Sequence, residues 1–101
     1  MERNIINNAK RLIKLYEAMC DKLKIEVNFI IDNNITNKNI IERCLDVLLS
    51  IPTEKAYLFL KTLCNYYITI DNEAALFYLN MYDELYNEEE IKVRKKDYKH
   101  K

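Results

Sequence analysis

A chain of 101 residues, 50% hydrophobic and 32% charged, has room for one globular domain with one core, which excludes a second domain and a disordered chain alike. It contains no glycine, the residue that tight hairpins, phosphate-cradling loops and most helix C-caps use for positive φ, so hairpin-rich and nucleotide-loop architectures are disfavoured. The net charge of zero conceals three blocks, +1 over residues 1–52, −6 over 53–90 and +5 over 91–101.

The first helix is expected from about Arg3. Ile5, Ala9, Leu12, Tyr16, Met19 and Leu23 step by four and three in one apolar stripe, while Asn7, Asn8, Arg11, Lys14 and Asp21 stay off that line. From Lys24 two patterns coexist. Val27 and Ile30 continue the stripe, whereas Ile25, Val27, Phe29 and Ile31 alternate as in a strand. Helix is preferred, because one short strand in a helical chain leaves its backbone groups without partners. Asp32, Asn33 and Asn34 end the segment, and Asn33, Asn34 or Asn72 can take the left-handed capping role in the absence of glycine.

A second helix is expected from about Asn37 to Leu49, capped by Thr36 and burying Ile41, Cys44, Leu45 and Leu48. Pro52, the one proline, breaks it and suits the first turn of a third helix over Thr53 to about Ile68, with Ala56, Phe59, Leu60, Leu63, Cys64 and Tyr67 inward. Asp71 is the expected N-cap of a fourth helix, with Glu73 at the positive end of its dipole. The i, i+4 pairs Glu88 with Lys92 and Glu90 with Arg94 predict that this helix continues past Glu90. The fold class is therefore all-α, a four-helix, largely antiparallel bundle over residues 1–96 with a frayed basic tail at 97–101.

Catalytic and metal chemistry find no foothold. His100, the one histidine, stands among lysines at the chain end without convergent ligands or a rigid base. The acidic run around Asp83, Glu84 and Glu88 to Glu90 reads as a solvated helix face rather than a pair of carboxylates in a cleft. Neither an enzyme, a cofactor, a metal nor a small-molecule substrate is expected. Cys20, Cys44 and Cys64, odd in number and without a CxxC pair, read as small core residues in a reducing compartment. The longest apolar run, Ala74 to Leu79, is far below the ~18 to 20 residues of a membrane span, and no signal segment opens the chain, so a cytoplasmic location off the membrane is expected.

The feature with most content is aromatic. Eight of the eleven aromatic residues lie between Thr53 and Glu90, and apolar side chains occupy more than half the circumference of the fourth helix. Such a helix is either central to the bundle or meets another chain. Tyrosine favours the second fate, because its hydroxyl wants a partner and its ring is enriched at interfaces, whereas core burial is the commoner fate of such a stripe. The first functional expectation is a non-enzymatic module that binds another protein or a second copy of itself through Phe77, Tyr78, Tyr82 and Tyr86, with Asp83 and Glu84 supplying acidity. A small virus- or phage-encoded inhibitor of a host protein, or a homodimer, would suit this composition.

The second expectation starts from CLDVLLSIPTEKAYLFLKTLCNYYITID, residues 44–71, which resembles the second and third helices of a winged helix-turn-helix with AYLFLKTL as recognition helix. The resemblance implies a small DNA-binding regulator with a wing from Tyr67 to Asp71, and the basic composition of the tail, separately, offers phosphate contacts from Lys92, Arg94, Lys95 and Lys96. The −6 block around that helix opposes a phosphate backbone, which ranks nucleic acid second to protein.

Overall fold

A computed structural model describes residues 2–86 of the chain, with side chains from Asn8 onward. Among the described residues there are four helices and no strand: α1 (Glu2–Asp32), α2 (Lys38–Leu49), α3 (Glu54–Tyr67) and α4 (Asn72–Tyr86). The segment with two competing patterns is helical to Asp32. Val27 and Ile30 are buried in it, while Ile25 and Phe29 point to solvent, so the apparent alternation came from an exposed i, i+4 apolar pair.

Each helix boundary has a local cause. Asn34 is the one described residue with positive φ (52°), and it closes α1 as glycine would: its amide bonds Ile31 O and the Ile35 amide bonds Ile30 O, the paired bonds of a Schellman motif. Asn37 caps α2 through Oδ1, which accepts from Asn39 and Ile40, one residue later than the expected Thr36 cap. Thr53 caps α3 by accepting from the Ala56 amide, so Pro52 precedes the helix instead of occupying its first turn. Asp71 caps α4 as expected, its Oδ1 3.0 Å from the Ala74 amide. Lys38 sits 2.6 Å from the same carboxylate; their hydrogen bond pushes the Lys38 pKa up, and it is the largest influence holding Asp71 down. Both groups are solvent-accessible, so the pair contributes little to stability.

The helices alternate in direction. Cys20 of α1 meets Thr53 at the start of α3, and Tyr66 near the end of α3 donates to Ile35 O just beyond α1, so these two helices run parallel. Tyr57 of α3 reaches Asp83 of α4, and Lys38 and Asp46 of α2 meet Asp71 and Tyr78 along α4, so α4 opposes α3 and follows α2. α2 and α3 pack against each other and against both outer helices, whereas α1 and α4 make no close backbone approach. The core is one cluster drawn from all four helices: Cys20, Leu23, Val27 and Ile30; Ile41, Cys44, Leu45 and Leu48; Ala56, Leu60, Leu63, Cys64 and Tyr67; Ala75, Tyr78 and Tyr82; with Ile51 from the α2–α3 turn. Burying a Leu or Ile side chain in such a cluster contributes roughly 1.5 to 3 kcal/mol. All three cysteines are free and buried, and burial pushes the Cys44 and Cys64 thiols up to about 12, so they are packing residues with little thiolate character.

Two further expectations need correction. Leu12 belongs to the apolar stripe of α1, yet it is 47% exposed because α1 overshoots the other helices at that end. No wing follows α3: its last residue, Tyr67, is fully buried, residues 68–70 form a turn and α4 begins at Asn72. The expected continuation of the fourth helix past Glu90, the basic tail and His100 all lie outside the described residues.

Candidate interaction surface

Packing divides the aromatic residues of α3 and α4 by chemistry. Tyr67, Tyr78 and Tyr82 are buried and Tyr57 and Tyr66 half-buried, and every one of these hydroxyls finds a partner inside the chain. Tyr67 donates to Glu42, and Tyr78 to Asp46 Oδ1 at 2.7 Å. Tyr82 donates to Thr53 O at 3.0 Å, the N-cap carbonyl of α3 that also accepts from the Tyr57 amide, and Tyr86 to Leu49 O at 2.6 Å, in the last turn of α2, where carbonyls lack intrahelical donors. The rings also meet each other. Tyr57 stacks on Tyr82 with centroids 4.5 Å apart, Tyr82 tilts against Tyr86 at 4.6 Å, and Lys61 Nζ lies 4.7 Å from the Tyr57 centroid. Burial, followed by the neighbouring carboxylates, raises the pKa of Tyr67 and Tyr78; Tyr82 is pushed up to about 12, first by burial.

Tyr78 and Tyr82 are thus corrected from surface anchors to core residues, at 7% and 4% exposure. The hydroxyls that were expected to favour an interface are satisfied by this chain's own carboxylates and helix-end carbonyls. Tyr86 stands at the border, partly open with its hydroxyl engaged. Asp83 is half-buried and accepts from Tyr57 at 3.5 Å, and Glu84 is exposed. Of the expected anchors only Phe77 is a large ring turned outward, 55% exposed and edge-on to Tyr78 at 5.7 Å.

Phe77 is not isolated. Met81 and Leu85 follow it at four-residue spacing on the same line of α4, Met81 half-buried and Leu85 57% exposed. The line lies on the flank away from Asp83 and Leu79, beside the Tyr78 contact with Asp46 of α2. Glu73 precedes Phe77 by one turn and Glu84 follows Met81 by one, so both border the line on its solvent side; exposed Asp46 borders it toward α2. An apolar line about 12 Å long, from Phe77 to Leu85 at helical rise, therefore lies between acidic rims. Met81 and Leu85 were missed as site residues because an i, i+4 apolar line on the last helix reads equally as core; only the position of α2 and α3 decides which flank is covered.

Other apolar side chains are exposed without such a frame. Ile25 and Phe29 lie on the back of α1 among Asp21, Lys22, Asn28 and Asp32, a mixture with no sign preference. Leu58 is exposed beside Glu54, Lys55 and Lys61 on the outward face of α3, the face that a recognition helix would present. Among the described residues no group of histidine, cysteine and carboxylate side chains is arranged to hold a metal, and no helix is long and apolar enough to cross a membrane. No protein-family model matches the chain, and neither a curated protein nor a solved structure matches it.

Proposed function

We propose that this chain is a non-enzymatic protein–protein interaction module whose working surface is the Phe77, Met81 and Leu85 line of α4 with its acidic rim. The observation that carries this reading is that three large apolar side chains share one helical line, Phe77 and Leu85 in solvent and Met81 half-buried between them, while every inward tyrosine is already satisfied. Exposed aromatic and aliphatic side chains in a row are the usual energetic centre of a small interface, and charge on the rim selects the partner. Glu73, Glu84 and Asp46 select a basic one. The partner that fits is an amphipathic helix of another protein, its leucine-like residues at i, i+4 and i+8 laid along Phe77, Met81 and Leu85 and its lysines or arginines toward the rim. A surface of that sign also competes electrostatically with nucleic acid for a basic channel, the action of a small virus- or phage-encoded inhibitor of a host protein.

The test uses two synthetic helical peptides, one of leucine and lysine, the other of leucine and glutamate, titrated against the full chain by fluorescence anisotropy. The basic peptide is expected to bind with an affinity that falls with salt, and the acidic one to bind at least tenfold more weakly. Phe77→Asp and Leu85→Asp should each weaken the basic peptide by about tenfold or more with unchanged helical content, in line with the loss of a central apolar contact. Equal binding of both peptides, or binding indifferent to both substitutions, would sink the proposal.

A further inference from the structure

The outward side of α1 carries a second inference, independent of the α4 line. Tyr16, Cys20, Leu23, Val27 and Ile30 step by four and three along the side that faces the core. Leu15, Ala18, Lys22, Ile25 and Phe29 step by three and four along the outward side, and all five are exposed, Ile25 at 71%, Phe29 at 58% and Leu15 at 56%. That alternation is the seam spacing of a coiled coil, with a small Ala18 where a large neighbour can seat and the Lys22 stem continuing the apolar surface. From Leu15 to Asp32 the seam runs about 26 Å at helical rise. Lys14 and Lys22 border its first half, Glu26 and Asp32 its second. Among the described residues no ion pair engages any of these four, whereas Asp21 is held by Lys55 at 3.3 Å. Asp32 also stands at the negative end of the α1 dipole, whose last turn holds no basic residue.

We infer that this seam is the dimerisation surface for a second copy of the chain, the two α1 helices packing antiparallel. Antiparallel heptads place Lys22 opposite Ile25 of the second copy, Ala18 opposite its Phe29 and Leu15 opposite its Asp32, each pairing made twice by the two-fold axis. The large Phe29 ring then fills the space over Ala18, and Leu15 packs beside the same ring. Charge supports this occupant. Along the axis Lys22 lies one residue from Glu26 of the second copy and three from its Lys22, and Lys14 lies one residue from its Asp32. Glu26 is half-buried against Val47 of α2, and Arg43, one turn before Val47, adds a cation of its own chain on that flank. A parallel pair would instead set Lys14, Lys22, Glu26 and Asp32 each against its own copy. The mixed signs that give this surface no preference for a basic or an acidic partner make it complementary to itself.

The experiment is sedimentation equilibrium of the full chain from about 1 μM to about 1 mM, where a reversible monomer–dimer equilibrium is expected. Ile25→Asp should weaken it at least tenfold with unchanged far-UV circular dichroism, since the side chain is exposed, and Phe77→Asp should leave it unchanged. Lys22→Glu and Glu26→Lys should each weaken the dimer by about fivefold, and the double variant should regain most of the loss. A monomer at every concentration, a dimer indifferent to Ile25→Asp, or one lost in Phe77→Asp would overturn the inference. Orientation is read by cross-linking with a short bismaleimide, Cys20, Cys44 and Cys64 being buried. Ala18→Cys mixed with Phe29→Cys should give a cross-linked dimer, and neither variant alone should. Cross-linking of each variant alone, with none between them, would mark a parallel pair and contradict the register.

Discussion

The two flanks of α4 carry similar apolar weight and opposite duties. On one, Tyr78 and Tyr82 are buried and each hydroxyl ends on a carboxylate or a helix-end carbonyl. On the other, Phe77 and Leu85 are more than half exposed and bear no polar atom at all. Hydrophobicity alone does not separate them. What separates them is whether a polar tip has an acceptor within reach when the ring goes in. Asp46 and the carbonyl of Thr53 provide those acceptors, so tyrosines can be core residues here without leaving a buried hydroxyl unsatisfied.

The largest way to break the inner flank is alkali. The folded state raises Tyr82 from 10.0 to about 12 and Cys44 and Cys64 from 9.0 to about 12, in each case chiefly by burial. A raised folded pKa means that the neutral form is favoured in the native state, so the associated stability is complete below pH 9 and is lost as pH climbs from 9 towards 12. Far-UV circular dichroism against pH should show cooperative unfolding within that window, together with a late phase of tyrosinate absorbance near 295 nm, from Tyr67, Tyr78 and Tyr82, that rises with unfolding. Titration of all eight tyrosines in one phase near pH 10 with the helices intact would contradict burial.

Substitution sharpens the contrast further. Tyr82→Ala removes a ring stacked on Tyr57 and tilted against Tyr86 and should cost about 3 to 5 kcal/mol in urea denaturation. Tyr82→Phe keeps the ring and gives up only the bond to Thr53 O, so about 1 kcal/mol is expected. Leu85→Ala, on the outer flank, should stay within about 0.5 kcal/mol while weakening the basic peptide. A cost for Leu85→Ala comparable to that of Tyr82→Ala would place the outer line in the core and remove the proposed surface.

Much of the fold was legible because it rests on local chemistry. Ile41, Cys44, Leu45 and Leu48 mark the inner face of α2 by spacing alone, and Asp71 announces α4 by its capping side chain. Asn34 was readable as a substitute for glycine because asparagine tolerates the left-handed region. The site was only half legible. Phe77 stood out, but Tyr78, next to it in sequence, turns inward, and which of the two is buried depends on where Asp46 of α2 lies, 32 residues away in sequence. The overshoot of α1 was hidden for the same kind of reason. Its stripe is continuous to Leu12, and only the lengths of the partner helices reveal that nothing in α2 or α3 reaches so far.

The neighbouring pair Phe77 and Tyr78 tests the division most directly, by urea denaturation of Phe77→Ala and Tyr78→Ala side by side. Tyr78→Ala is expected to lose about 3 kcal/mol or more and Phe77→Ala no more than about 0.5 kcal/mol. Equal losses, or the larger one at Phe77, would contradict the account.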